Sequence, residues 1–370
     1  MPTTAPTTVL FTGFPGFLGT ALLPRTLRRA PDAQAVALVQ ERWLDQAKQT
    51  LARIEGAEPA VAGRTRLVVG DITRPGLGLD PAEADELRRG PLEIFHLAAV
   101  YDLSVPPGPA WAVNVDGTRH VVDLARGADQ LVRLQYVSTC YVSGDYAGLF
   151  FEDDLELGQS FSNHYEHTKH EAERIVAKAR DAGMPVTVYR PSIVVGDSRT
   201  GETQKYDGPY YALQLIARQP GRTAVMPLPA DPSRVQFNLV PSDFVVDAIA
   251  ALAPHPGARG RTVALANPAP PTVLEMCEAF AAHTGKRLRV VPAPTALSKF
   301  AVDHLPGVGR LFKLPSSTLD YLTHPTVYDV TATTALLEEV GVRCPPFAEH
   351  VGAMVAFHRE HPDVGSAAMV

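Results

Sequence analysis

Six short apolar runs alternate with longer amphipathic segments in the first half of this 370-residue chain. The apolar runs lie at 7–13, 35–39, 66–71, 93–99, 133–138 and 186–190. Helical patterns occupy 17–30, 41–56, 110–127 and 165–182. Strands separated by helices require right-handed crossovers and a parallel sheet with helices on both faces. Because the runs are almost wholly apolar, we expect both faces of the strands to be buried. The predicted fold class is α/β, with a doubly wound parallel sheet.

Composition and cysteine usage exclude several classes of protein. The formal net charge is −6 with both signs mixed, so no basic surface for nucleic acid is expected. No apolar run approaches the roughly 18 residues of a membrane span. The N-terminus lacks a basic leader pattern. Three cysteines, Cys140, Cys277 and Cys344, are far apart, which is typical of a reducing compartment without disulfides or structural zinc. We therefore expect a cytoplasmic protein.

A glycine-rich segment, TGFPGFLG, follows the first predicted strand and begins a helix. A tight strand-to-helix turn needs residues without Cβ, so that backbone N–H groups can approach a pyrophosphate at the helix N-terminus. At the first strand of a parallel sheet, this spacing predicts a dinucleotide-binding Rossmann domain. The segment consists of the predicted cofactor-binding residues Thr12, Gly13, Phe14, Pro15, Gly16, Phe17, Leu18 and Gly19.

Other predicted cofactor contacts follow the ends of later strands, where ligands of such sheets bind. Asp71 ends the third run, where its carboxylate can accept a hydrogen bond from an adenine amino group or cap the next segment. Small residues after the fourth run would let a cofactor lie against the sheet. The remaining residues assigned to the cofactor at these strand ends are Ile72, Leu97, Ala98, Ala99, Pro191, Ser192 and Ile193.

The rhythm of strands and helices breaks after about residue 190. Segments rich in Gly, Pro and aromatic residues alternate with a strand-to-helix pattern that resumes at 238–253. We therefore predict a dinucleotide-binding domain over 1–198 with a returning segment at 237–266. A smaller, discontinuous substrate-binding domain would comprise 199–236 and 267–370.

The order of these motifs resembles the extended short-chain dehydrogenase/reductase superfamily. The motifs are TGxxGxxG (12–19), GD (70–71), HLAA (96–99), NVxGT (114–118), YxxxK (165–169) and RPS (190–192). Within that superfamily, VSTCYVSG (137–144) and RPSIVVGDSRTG (190–201) look most like the bacterial fatty acyl-CoA reductase and thioester reductase branch, whose NAD-binding domain carries the male sterility name.

Tyr165 and Lys169 lie one helical turn apart, so both side chains face the same way. A phenol with its usual pKa of about 10 is a poor acid at neutral pH, and a nearby ammonium lowers that pKa. The resemblance implies that Tyr165 donates the proton and that Lys169 also binds the nicotinamide ribose. It further implies a substrate-binding hydroxyl five residues before Gly144, which is Thr139, with Ser138 as the alternative. Asn114 is counted among the predicted cofactor-site residues, where it is expected to be a structural hydrogen bonder between neighbouring strands and not a chemical participant.

Three histidines, His164, His167 and His170, occur in the same helical segment. Their spacing can bring two imidazoles together, but no carboxylate or cysteine completes an evident ligand set. We predict no metal site, and we interpret Cys140 as a packing residue. The acidic run at 152–156 is interpreted as a solvated loop.

Cofactor choice depends on the residues after the second strand. A carboxylate there would repel a 2′-phosphate, but this chain has the neutral Gln40 followed by Glu41 and Arg42. Gln40 and Arg42 are therefore predicted cofactor contacts. NADPH is the expected cofactor, with NADH possible.

The resemblance implies reduction of a long-chain acyl thioester of CoA or acyl carrier protein to the aldehyde, or of a fatty aldehyde to the alcohol. The alternatives are a hydroxysteroid or nucleotide-sugar enzyme with the same site, and a non-catalytic dinucleotide sensor. Segments 206–217 and 297–314 are rich in aromatic and aliphatic residues and are predicted to form an apolar tunnel. Basic residues predicted at its rim are Lys205, Arg218, Arg222, Lys299, Arg310 and Lys313.

Overall fold

A computed structural model describes residues 6–101, 105–228, 231–293 and 321–365. The strands are β1 (Thr8–Thr12), β2 (Gln34–Val39), β3 (Thr65–Val69), β4 (Pro91–His96), β5 (Gln130–Val137), β6 (Gly148–Phe150), β7 (Val186–Pro191), β8 (Ile193–Val195), β9 (Thr223–Leu228), β10 (Leu239–Pro241), β11 (Thr262–Leu265), β12 (Arg287–Pro292) and β13 (Thr326–Tyr328). The helices are α1 (Phe17–Arg29), α2 (Leu44–Ala57), α3 (Pro81–Arg88), α4 (Pro107–Ala110), α5 (Gly117–Arg126), α6 (His164–Asp181), α7 (Pro209–Arg218), α8 (Ser242–Leu252), α9 (Val273–His283), α10 (Thr331–Glu339) and α11 (Phe347–Glu360).

Seven parallel strands form the main sheet in the order β11-β7-β5-β4-β1-β2-β3. The strand order reverses at β1, which pairs with β2 on one side and with β4 on the other. Helices cover both faces, as the sequence predicted. Successive residues of β1 show this directly, since Leu10 joins one apolar core and Phe11 the core on the opposite face. The predicted doubly wound α/β fold is confirmed.

The outermost strand, β3, departs from the expectation that every strand is buried on both faces. Its residues are partly or fully exposed, and Val69 retains 41% of its accessible surface. Because β3 pairs only with β2 in the sheet order, one of its edges faces away from the sheet. An apolar run therefore predicted the strand but not its place at the edge.

Residues 237–266 return to the sheet domain. They supply β10 and α8 and end with β11, which pairs with β7. Leu336 and Leu337 of α10 pack in the same core as α8. The C-terminal part of the chain thus contributes to the sheet domain as well, and the exact domain boundaries stay a prediction.

A second apolar core lies outside the sheet and is built from α7, β9, α9, β12 and α11. Most apolar residues of 206–217 are buried in this core, including Tyr206, Tyr210, Leu213 and Ile216. The prediction that this segment forms an apolar tunnel is therefore wrong for these residues, because they face the core of the smaller unit. The other predicted tunnel segment, 297–314, lies outside the described residues. No helix in the described part of the chain is long and apolar enough to span a membrane.

Candidate active site

The sheet strands end at one edge, where a cavity of about 730 Å³ opens. Residues that follow β1, β2, β4, β5 and β7 line it, as expected for a ligand site at a topological switch point. All but two of the predicted catalytic and cofactor-binding residues line this cavity. The two that do not are Asp71 and Asn114.

The phosphate loop between β1 and α1 lines one wall with all eight of its residues, Thr12 to Gly19. Gly13 has a φ of +87°, and a Cβ there would lie 2.8 Å from the backbone nitrogen of Ala98. A Cβ on Gly19 would lie 2.5 Å from the carbonyl oxygen of Gly13. These contacts explain why the turn requires glycine, and they keep its backbone open to an anion at the start of α1.

The strand ends beside the phosphate loop contribute a polar group without a hydrogen-bond partner among the described residues. Leu97, Ala98 and Ala99 follow β4, Pro191 ends β7, and Ser192 and Ile193 come directly after it; all six line the cavity. The Ser192 hydroxyl is buried and has no hydrogen-bond partner within the described residues. A buried unpaired hydroxyl is rare, and a bound dinucleotide would give it a partner. The cavity therefore fits the predicted cofactor.

Gln40, Arg42 and Trp43 lie at the end of β2 and line the cavity. The Arg42 Nε donates to Gln40 Oε1 at 2.9 Å, and its guanidinium lies 5.5 Å from the Trp43 ring centroid. The sequence predicted Gln40 and Arg42 here, but it did not predict Trp43. The arrangement places a cation in the cavity, directly after β2.

Asp71 caps a turn in the structure. Its Oδ1 accepts hydrogen bonds from the Thr73 backbone N–H (2.9 Å) and hydroxyl (2.8 Å). Burial alone would raise the pKa of Asp71, but these hydrogen bonds and one from Gln40 lower it. Its neighbour Ile72 lines the cavity. Of the two interpretations of Asp71, the geometry favours the cap.

Asn114 is buried in a π-helical turn, Trp111–Asp116, that precedes α5. Its amide accepts from the Val100 N–H (2.8 Å) and donates to the Val100 carbonyl (3.0 Å) and the Thr168 hydroxyl (2.9 Å). Asn114 is thus fully occupied as a structural hydrogen bonder. The groups that it joins are the loop after β4 and helix α6, instead of the neighbouring strands that we expected.

Tyr165 and Lys169 project from the first turns of α6 into the cavity. Asn163 caps this helix by accepting a hydrogen bond from the Glu166 N–H at 3.0 Å. Burial raises the pKa of Tyr165 to about 12, and a hydrogen bond with Thr139 opposes the shift. Burial lowers the pKa of Lys169 to about 7, and the Glu173 carboxylate opposes that shift. The phenol pKa is therefore raised in this structure, whereas the pairing with Lys169 alone would lower it.

Thr139 and Ser138, the two candidate hydroxyls, point to different partners, as alternation along a strand requires. The Ser138 hydroxyl donates to Glu173 Oε2 at 2.5 Å. The Thr139 hydroxyl accepts from the Tyr141 N–H at 3.2 Å and donates to the Pro191 carbonyl at 3.4 Å, and it is near enough to Tyr165 to oppose the rise in the pKa of that phenol. The structure therefore places Thr139, and not Ser138, beside the Tyr165 phenol.

The three histidines do not converge. His167 stacks on Phe161 with ring centroids 5.2 Å apart, and His170 Nε2 lies 3.1 Å from the Leu155 carbonyl oxygen. Within the described residues, no group of three or more His, Cys, Asp or Glu side chains is arranged to hold a metal ion. Cys140 is buried and its thiol donates to the Arg190 carbonyl at 3.0 Å; burial raises the thiol pKa.

The acidic run at 152–156 is not wholly solvated, which corrects our interpretation. Glu152 is buried, and its Oε1 accepts the Thr333 N–H at 2.8 Å. The Arg190 guanidinium donates to the carbonyls of Glu152 (3.1 Å) and Asp154 (2.7 Å). The acidic run therefore connects α10, through Thr333, with β7, through Arg190.

Aromatic residues line the part of the cavity beyond Thr139; the sequence predicted Tyr211, which lies in segment 206–217, but not the others. Tyr141 and Tyr321 meet edge to face with centroids 4.7 Å apart. The Tyr321 hydroxyl donates to Glu166 Oε1 at 2.6 Å, next to Tyr165. Tyr141, two residues after Thr139, could have been found by its position, but no local signal links Tyr321 to the site. The other aromatic residues of this end are Tyr101, Tyr211 and Phe237.

A dinucleotide loop, a Tyr–Lys pair and an adjacent threonine around one cleft define an NAD(P)H-dependent oxidoreductase of the extended short-chain dehydrogenase/reductase type. The comparison with known families agrees with this class. Residues 11–249 match the family described as male sterility protein, and the chain belongs to that family.

Individual relatives of this chain are reductases. The chain is 30% identical over 260 residues to a glycine betaine reductase of Emericella nidulans, a match that covers 66% of this chain and 20% of that protein. It is 26% identical over 282 residues to fatty acyl-CoA reductase wat of Drosophila melanogaster, which covers 66% and 53%. The chain thus spans about half or less of these relatives.

A solved structure resembles nearly the whole chain. The terminal R domain from the myxalamid PKS-NRPS biosynthetic pathway superposes with a TM-score of 0.79 at 28% identity, covering 99% of this chain and 94% of that one. The expected place in the fatty acyl-CoA reductase and thioester reductase branch is consistent with these relatives.

Proposed function

We propose that this chain is an NADPH-dependent reductase of a carbonyl substrate, namely a long-chain acyl thioester carried by CoA or an acyl carrier protein. The product would be the aldehyde; reduction of a fatty aldehyde to the alcohol is the other reaction that the same site supports. The observation that carries the proposal is that Tyr165, Lys169 and Thr139 line the same cleft as the dinucleotide loop, together with several aromatic rings.

The chemistry requires a hydride acceptor carbon whose oxygen is held by hydroxyls. When bound, the dinucleotide supplies the hydride. Tyr165, with a pKa of about 12, is protonated at neutral pH and can donate its proton to the carbonyl oxygen. The Thr139 hydroxyl, adjacent to that phenol, can donate a hydrogen bond to the same oxygen. With a thioester, the resulting hemithioacetal loses its hydroxyl proton, its C–S bond breaks, and the released sulfur takes up a proton.

The cofactor preference is part of the proposal. Arg42 lies in the cleft at the end of β2, and the residue directly after the strand is the neutral Gln40. A guanidinium binds phosphate through charge-assisted hydrogen bonds, and no carboxylate immediately follows the strand to repel it. These residues favour NADPH over NADH.

The substrate end supports an apolar acyl group more than a sugar. Tyr141, Tyr321 and Phe237 present rings to the cavity. Of the predicted rim cations, Lys205 lines the cavity, where it pairs with Asp207 and lies 4.2 Å from the Tyr101 ring centroid. Arg218 and Arg222 are exposed and do not line it, and Lys299, Arg310 and Lys313 lie outside the described residues. All three cysteines are free, which favours a cytoplasmic location.

The test is a substrate panel with NADPH oxidation as the readout. Long-chain acyl-CoA, an acyl-loaded carrier protein, a long-chain aldehyde, a steroid ketone and a nucleotide sugar are compared. We expect turnover of the thioesters with release of free thiol. Turnover of the aldehyde alone would remove the thioester step, and turnover confined to the steroid or the nucleotide sugar would overturn the acyl assignment.

A further inference from the structure

The Lys169 amine is hydrogen-bonded to a fully buried tyrosine. The Lys169 Nζ donates to the Tyr136 hydroxyl at 3.0 Å and to the Val137 carbonyl at 2.8 Å. Tyr136 lies on β5, has no exposed surface, and packs in the core beneath the catalytic helix. Two of the three donors of the lysine amine are therefore committed to β5.

Other buried polar side chains surround the Tyr136 phenol. The nearby Thr118 and Ser138 hydroxyls oppose the burial that raises the pKa of this phenol. The Ser138 hydroxyl donates to Glu173, whose carboxylate pairs with Arg190 at 2.6 Å. The Lys169 amine is therefore surrounded by buried polar groups, in a region where a hydrogen bond is stronger than in water.

The other ionisable groups that face Lys169 are His96, Glu173 and Tyr165. Burial and the charge of Lys169 lower the pKa of His96 on β4 to about 3, so the imidazole is neutral. Glu173, one turn along α6, raises the Lys169 pKa but is itself paired with Arg190 on β7. Tyr165 stays protonated at neutral pH. Tyr136 is the hydroxyl in direct contact with the amine.

We propose that Tyr136 is a positioning residue for Lys169: its phenol oxygen accepts an N–H of the amine, holds the amine at the end of β5, and favours its charged form. This inference rests on the proposed role of Lys169 in binding the cofactor ribose and assisting Tyr165. No motif of the sequence predicted it, because Tyr136 lies inside an apolar run and precedes the strand end.

The experiment compares Tyr136→Phe with Tyr189→Phe. Tyr189 is an equally buried phenol on the neighbouring strand β7, but its hydroxyl donates to Gln135 at 2.9 Å and its ring packs on the other face of the sheet. Each substitution removes one buried hydroxyl and keeps the ring. The readouts are the dissociation constant of NADPH across pH and, with an active substrate, the pH profile of kcat/KM.

We expect Tyr136→Phe to weaken NADPH binding roughly ten-fold near neutral pH, because a hydrogen bond to a charged group is lost. In both pH profiles, NADPH binding and kcat/KM, the alkaline limb should move to lower pH. The reason is that the Lys169 amine of the variant loses its proton at a lower pH. Tyr189→Phe should leave the limb in place. The proposal would be overturned if the alkaline limbs of a folded Tyr136→Phe variant and of the wild type fell at the same pH. Equal shifts of the limb in Tyr136→Phe and Tyr189→Phe would overturn it as well.

Two further arms keep the outcome decisive. If Tyr136→Phe does not fold, Tyr136→Met is used, since it also removes the hydroxyl and fills the buried space with a flexible apolar side chain; the NADPH-binding limb should shift to lower pH as expected for Tyr136→Phe, and an unmoved limb rejects the proposal. If no carbonyl compound is turned over, the proposed function fails, but NADPH binding against pH still decides the role of Tyr136.

Discussion

Arg190 and Glu173 form an ion pair of 2.6 Å in which the two side chains are only 3% and 2% exposed. Arg190 is the penultimate residue of β7 and Glu173 lies two turns into α6, so the pair connects the catalytic helix to the sheet. The guanidinium also donates to the carbonyls of Glu152 and Asp154. This geometry uses most of the donors of the arginine, which is what a buried guanidinium requires.

Breaking one side of this pair should be costly. We expect Arg190→Met or Glu173→Met to lower the free energy of unfolding by about 3–5 kcal/mol, because each leaves a buried charge without its partner. The double variant should lose much less than the sum of the two. Urea denaturation of the three variants measures both effects.

A surface pair provides the control. Arg234 and Asp231 form an ion pair with side chains that are 85% and 52% exposed. Asp231→Asn should cost no more than about 1 kcal/mol. Additive losses in the double variant, or equal losses at the two pairs, would show that the buried pair has no special coupling.

Tyr165→Phe should abolish turnover while the dissociation constant of NADPH changes little. The ring and its packing remain, but the proton donor is removed, and general acids contribute roughly 10²–10⁴-fold. The control is Tyr206→Phe, which removes a buried phenol that donates to the His361 carbonyl in the second core. If Tyr165→Phe kept most of the wild-type kcat, another group would be the acid.

The parts of this site that the sequence predicted are those governed by local geometry. The glycine spacing of the phosphate loop follows from backbone approach, and the Tyr165–Lys169 spacing follows from the helical turn, so both needed only neighbouring residues. The order of apolar runs likewise predicted the sheet.

The features that were missed depend on contacts between distant segments. Glu152 was expected in solvent, and its burial is explained by the Thr333 N–H and by Arg190, which lie far along the chain. Tyr206 and Tyr210 of segment 206–217 pack in the second core and not against the cleft, whereas Tyr211 lines the cleft. Tyr321 reaches the site through its contacts with Tyr141 and Glu166, which are distant in sequence. No local pattern carries such information.

Arg42→Ala should lower the catalytic efficiency with NADPH roughly ten-fold or more and leave that with NADH nearly unchanged. The reason is the loss of a charge-assisted hydrogen bond to the 2′-phosphate, which NADH lacks. Competition between the two cofactors measures the ratio directly. Arg29→Ala, an exposed arginine in the last turn of α1, is the control and should leave the ratio as it is. An unchanged ratio in Arg42→Ala would exclude this residue as the selector.

Gly13→Ala should weaken NADPH binding by more than ten-fold and destabilise the chain by about 1–2 kcal/mol or more. The φ of +87° disfavours a Cβ, and that Cβ would also lie 2.8 Å from Ala98 N and 2.9 Å from Leu97 C. Both loss of binding and loss of stability are measured, by fluorescence titration and by denaturation.

A second glycine gives the matched control. Gly56 lies in α2, and a Cβ there would meet nothing within 4 Å. Gly56→Ala should stabilise by roughly 0.5–1 kcal/mol with unchanged NADPH binding. If Gly13→Ala behaved in the same way, the close backbone approach at the loop would be wrong.

The buried amine of Lys169 should leave a signature in stability against pH. Burial lowers its pKa from 10.5 to about 7, so between these two values the unfolded chain binds a proton that the folded chain does not. The free energy of unfolding therefore gains a term that rises with pH across this window. Lys169→Met removes that term, and the difference in the free energy of unfolding between wild type and variant should grow in favour of the wild type from about pH 7 to about pH 10.

The control is Lys178→Met, at an exposed position of the same helix, for which this difference should stay constant with pH. Denaturation curves at several pH values measure both, and a flat difference for Lys169→Met would mean that the amine is charged in the folded chain throughout this range.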